Sequence, residues 1–85
     1  MSTSAPTTHR RTASVDRRLA QVAASASYVS RLRLLRDAAA ALELHMESAR
    51  LDLQLGEFAA DLVEVIMVAR RAGATQAEIT KAVTL

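Results

Sequence analysis

The stretch 28-YVSRLRLLRDAAAALELHMESARLDL-53 sets how the chain is built. Within it Tyr28, Leu32, Leu35, Ala39, Leu42, Met46, Ala49 and Leu53 recur at spacings of 4, 3, 4, 3, 4, 3 and 4. Those steps alternate about a mean of 3.5, so the apolar side chains stay on one stripe of a helix, as in a coiled coil or a helix bundle. The reading is one long helix over about 28–55. Its seam is the candidate surface for self-association or for a helical protein partner. The same stripe also serves an ordinary helix packed inside its own bundle.

With Leu32 as a and Leu35 as d, the flanking positions include Arg31, Arg36, Glu43, His45, Arg50, Asp52 and Glu57. A parallel homodimer sets Arg31 against Arg36, His45 against Arg50 and Asp52 against Glu57, with no attractive pair. Antiparallel packing instead brings Arg31 toward Asp52, Arg36 toward Glu57 and Glu43 toward Arg50. Exposed pairs add little stability, so charge selects orientation. The expectation is antiparallel packing, either between two chains as a homo-oligomer or within one hairpin.

Upstream, Val15, Leu19, Val22, Ala26 and Val29 form a narrower helical seam. The serines of 25-SASYVS-30 compete for backbone hydrogen bonds and make a break or bend there plausible. Residues 1–13, MSTSAPTTHRRTA, are polar and aperiodic and are expected as a disordered basic tail, leaving 14–85 as one helical domain. Downstream, Gly56 ends or bends the long helix. Residues 57–71, EFAADLVEVIMVARR, are the most apolar segment and are expected as the most buried helix. Gly73 is placed as the residue that stops it. Thr75 and Glu78 form a T-x-x-E capping box for a short helix over 76–83.

Composition narrows the classes of function. Eighty-five residues, 51% of them hydrophobic, make one small domain. Two Gly and one Pro are too few for a turn-rich β fold, so the expected class is all-α, a small helical bundle or antiparallel coiled coil. Eighteen residues are Ala and none is Trp, which gives a thin core that pairing with another chain would thicken. The lack of Cys removes disulfides, thiolate zinc sites and Cys nucleophiles. The apolar runs are too short to span a bilayer, and the N-terminus has no apolar signal core, so a cytoplasmic protein without membrane contact is expected.

Catalysis finds no foothold. In 43-ELHME-47, a continuous helix places His45 almost opposite Glu43 and Glu47, which removes a metal or acid/base reading. Asp61 and Glu64 read as a solvated pair. Two His, two Gly and no Cys assemble no triad, metal cluster or phosphate loop. The expectation is a non-enzyme with no cofactor, no metal and no small-molecule substrate, in a bundle with little room for a substrate pocket.

Charge is divided along the chain. Residues 1–36 hold seven Arg and one Asp, hence +6, and residues 37–85 hold four basic and eight acidic residues, hence −4. The polarity marks either two segments that attract each other or a basic arm for an anionic partner. Arg10, Arg11, Arg17, Arg18, Arg31, Arg33 and Arg36 are the candidate phosphate contacts, and DNA is the alternative partner.

Residues 62–83, LVEVIMVARRAGATQAEITKAV, resemble the helix-turn-helix regions of small actinobacterial and actinophage regulators. There a helix ending in Ala-Arg-x-Ala-Gly leads into a (Thr/Ser)-x-x-Glu-Ile helix, then a Gly-containing turn and a recognition helix. The resemblance covers about a quarter of the chain and implies a DNA-associated transcriptional regulator. The sequence departs from that pattern with Thr80 in place of the usual Ala and Thr84 at the turn Gly. The recognition helix would begin after Leu85, so only structural roles carry over: Thr75 and Glu78 as cap, Ile79 and Val83 as packing residues.

Overall fold

A computed structural model describes the backbone of residues 4–84 and the side chains of residues 13–84. Among these residues the chain is all-α: α1 (Ser4–Ala41), α2 (His45–Ala72) and α3 (Gln76–Thr84). The disordered tail expected over 1–13 falls largely on residues whose side chains lie outside this description. α1 is bounded at Ser4.

The expected long helix over 28–55 is two helices. Ala41 ends α1 and His45 starts α2, so the heptad seam is cut between Leu42 and Met46. The stop is made by backbone geometry. Glu43 adopts φ 61°, the left-handed conformation. Its N–H donates to the Ala40 carbonyl at 3.0 Å, and the Leu44 N–H donates to the Ala39 carbonyl at 2.9 Å. This is the Schellman arrangement, in which two carbonyls of the last turn find donors beyond the helix. The same arrangement recurs at the end of α2. There Gly73 has φ 114°, its N–H reaches the Arg70 carbonyl, and the Ala74 N–H reaches the Ala69 carbonyl, both at 3.0 Å.

The two stops differ in the residue that carries the strain. Gly tolerates positive φ freely, whereas a Cβ-bearing residue is disfavoured there by about 1 kcal/mol or more. Glu43→Gly is therefore expected to stabilise the chain by about 1 kcal/mol, and Gly73→Ala to destabilise it by a similar amount. Urea midpoints at constant m-value measure both. A destabilising Glu43→Gly would show that the turn is not set by this backbone conformation.

The turn folds α2 back antiparallel along α1. Contacts between them run in opposite chain directions: Arg36 with Asp52, Tyr28 with Phe58, Val22 with Ala69. Antiparallel packing within a hairpin, one of the two expected forms, is thus present in the chain. Arg36 Nη1 lies 3.1 Å from Asp52 Oδ1, five residues short of the expected partner Glu57. Attraction between the basic and acidic segments has this contact as its instance. Hydrogen bonds that Arg36 donates to Asp37 first, and then to Asp52, raise its guanidinium above the ordinary pKa.

Two clusters make the core. Near the hairpin's middle, Val29, Leu32 and Leu55 pack with Leu51, Phe58 and Leu62. At the open end, Val22, Ala69 and Ala82 join all three helices, with Leu19, Val65 and Ile66 around them. The seam expected over Val15–Val29 is buried at Val15, Val22, Ala26 and Val29. α1 passes 25-SASYVS-30 without interruption, and α2 passes Gly56 in the same way. The segment 57–71 is not the most buried helix. α2 buries only Leu55 and Ala69, whereas α1 buries Val15, Val22, Ala26, Val29, Leu32 and Ala39. The reason is position: α1 packs against both other helices, while α2 keeps one whole side free.

α3 is held by its cap. Thr75 N–H donates to Glu78 Oε1 at 2.8 Å, and Glu78 N–H donates to Thr75 Oγ1 at 3.2 Å. Both halves of the capping box are therefore made. Arg70 also donates to the Gln76 side chain across the turn. Ile79 and Ala82 are the buried residues of α3, and Val83 is half-buried beside them.

Candidate interaction surface

Cutting the seam sorts its residues into two groups. Leu32 and Ala39 face α2 and are buried, and Tyr28 meets Phe58 edge-on with ring centroids 4.7 Å apart. Leu35, Leu42, Met46 and Leu53 are 57, 71, 83 and 72% exposed, and Ala49 is exposed as well. The seam is therefore not one stripe. Tyr28, Leu32 and Ala39 close the hairpin, and the other five residues face outward.

The outward residues of α2 continue a pattern that reading Gly56 as an end or bend conceals. Met46, Ala49, Leu53, Gly56, Ala60, Val63 and Met67 follow steps of 3, 4, 3, 4, 3 and 4, and every one is exposed. The stripe runs about 31 Å along α2. The core-facing line of Leu51, Leu55, Phe58 and Leu62 lies on the opposite side of the helix. Two apolar stripes on one helix are more than the hairpin uses. Gly56, Ala60, Val63 and Met67 were missed as surface residues because Gly56 read as an end or bend. Continuing the 3–4 count through that glycine would have found them.

The tip of the hairpin adds to this surface. Leu44 occupies the N-cap position of α2, makes no side-chain cap bond, and is exposed. Leu34 is also exposed, on the outer side of α1. With the outer α2 stripe, these are among the large apolar side chains that the closed hairpin leaves in solvent.

The other candidates behave differently. Among the described residues Arg17, Arg18, Arg31 and Arg33 are exposed and make no ion pair with a carboxylate. Arg18 hydrogen-bonds Gln21, and Arg31 lies over the Tyr28 ring at 5.9 Å. Arg31 and Arg33, two residues apart on a helix, point about 200° apart, so the arginines do not form a single face. Arg36 is engaged by Asp37 and Asp52. The side chains of Arg10 and Arg11 lie outside the described residues.

His45 is exposed at the start of α2, and Glu43 sits in the turn before it. The expectation that placed both on one helix is corrected, because the helix breaks between them. Among the described residues no three His, Asp or Glu side chains gather as a metal site. An open groove of about 360 Å³ between α1 and α3 is lined by Leu19, Ala20, Ala23 and Ala82, with Asp16, Glu78 and Lys81 beside them. The expectation of little room for a pocket is corrected in size, although this groove is mostly apolar and open to solvent. Among the described residues no helix is long and apolar enough to cross a membrane. Compared with protein-family profiles, curated proteins and solved structures, the chain matches none.

Proposed function

We propose that the chain is a cytoplasmic, non-enzymatic helical interaction module that pairs with another helix, through self-association or with a protein partner. The observation that carries this reading is the exposed apolar surface of Leu35, Leu42, Met46 and Leu53, left over after the hairpin has closed. Burying such residues against another apolar surface is favourable at about 25 cal/mol per Å². Leaving them in water forgoes that gain.

Native mass measured against concentration tests self-association. The mass is expected to rise above the monomer's 9.1 kDa as concentration increases, and Leu42→Asp is expected to weaken the rise. A mass fixed at 9.1 kDa at every concentration counts against self-association and leaves a different helical partner.

A second reading is DNA association by a regulator related to helix-turn-helix proteins. It draws on four exposed arginines of α1 that, among the described residues, pair with no carboxylate: Arg17, Arg18, Arg31 and Arg33. Contacts of that kind are to phosphates, not bases, and their affinity falls steeply with salt. Titration of duplex DNA at two salt concentrations decides between the readings. Salt-sensitive binding lost on replacing Arg10, Arg11, Arg17 and Arg18 by Ala supports DNA; no binding at low salt removes it.

A further inference from the structure

Resting on the interaction-module reading, we propose that the occupant of the outer α2 stripe is a second copy of this chain, its α2 antiparallel to the first. The stripe is self-complementary in that orientation. With Met46, Leu53, Ala60 and Met67 at a and Ala49, Gly56 and Val63 at d, antiparallel packing layers Leu53, Ala60 and Met67 against d residues of the second copy, and Met46 at the stripe's end falls opposite Arg70. In one register Gly56 and Ala60 face each other twice at the centre. Leu53 then meets Val63 of the second copy, and Ala49 meets Met67. Small residues oppose each other where the helices cross closest, and larger ones fill the flanks.

Charge complementarity accompanies that register. The positions beside the stripe and away from α1 are Arg50, Glu57 and Glu64. The register above places Arg50 beside Glu64 of the second copy, and the two-fold axis makes this contact twice. Glu57 faces its own copy once, a like-charge contact that the two Arg50–Glu64 pairs outnumber. Within one chain Arg50 has only an exposed contact to Glu47 at 3.5 Å, and no contact with Glu64.

Gly56 is the residue that separates folding from pairing. A Cβ built there meets nothing within 4 Å, so a side chain at this position has open space in the single chain. Helix propensity favours most residues over Gly, so a larger residue there supports the hairpin. In the paired form the same side chain would stand between two helices at their closest approach.

The experiment is sedimentation equilibrium of the full chain, with circular dichroism on each variant. Gly56→Leu is expected to keep or raise the melting temperature of the monomer while weakening the dimer by roughly 100-fold or more. Arg50→Glu is expected to weaken it by roughly 10-fold, and Arg50→Glu combined with Glu64→Arg to restore it. That rescue cannot come from the Glu47 contact, which the double variant does not restore. A wild-type dimer that Gly56→Leu leaves intact overturns the α2 pairing but keeps self-association. A wild-type chain that stays monomeric overturns both.

Discussion

Replacing Val22 by Asp is expected to unfold the chain at neutral pH. Val22 is fully buried where all three helices meet, against Ala69 and Ala82. Among the described residues the core holds no buried polar or charged side chain, so a carboxylate there would find no partner. Burying an isolated charge costs more than a domain of this size can lose, since 85 residues typically carry about 4–13 kcal/mol of stability. The group would escape by taking up a proton, so its pKa in any folded form lies above the unfolded value near 4. Stability is then lost as pH rises through that raised value and is regained as pH falls below it. Circular dichroism is expected to show helix returning on acidification. Val63→Asp is the comparator: Val63 is on the outer side of α2, and the monomer should keep its helix. A Val22→Asp variant that melts like the wild type would contradict the three-helix junction.

Leu32→Ala and Leu55→Ala are expected to cost about 2–5 kcal/mol each, the range for emptying a buried leucine site. The two residues pack in one cluster with Val29, one from each arm of the hairpin. Because they share a cavity, the double variant should depart from the sum of the single effects. Under conditions where the chain is monomeric, Leu35→Ala and Leu53→Ala should lie within about 0.5 kcal/mol of wild type, as exposed positions do. Urea denaturation distinguishes the pairs. Equal costs for Leu32 and Leu35 would mean that the seam is not divided between inside and outside as described.

That contrast bears on what could be read before the structure. The heptad count assigned Leu32, Leu35, Ala39 and Leu42 to one stripe, yet Leu32 and Ala39 are buried while Leu35 and Leu42 are exposed. Periodicity says which residues share a side of a helix and nothing about whether the helix continues. The break at Glu43 carried no Gly, Pro or Asn, so the usual stop signals were missing at the point where the chain turns. Gly73 did carry that signal, and with Thr75 and Glu78 the second turn was legible residue by residue. Gly56 carried a false one. Within a helix its cost is only about 1 kcal/mol, which the contacts of Leu55, Phe58 and Leu62 on the other side readily offset.

Local chemistry by itself determined the helical class, the buried line from Val15 to Val29, and the stop and restart between α2 and α3. Each follows from interactions within a few residues: spacing, left-handed glycine, capping oxygens. Tertiary packing alone decided the turn at Glu43. An unbroken helix would leave Val29 and Leu32 with no apolar partner from Leu51, Leu55 and Phe58. Burying those side chains together outweighs about 1 kcal/mol of strain at one non-glycine residue. The same fold-back used one side of α2 and left the line from Met46 to Met67 in solvent.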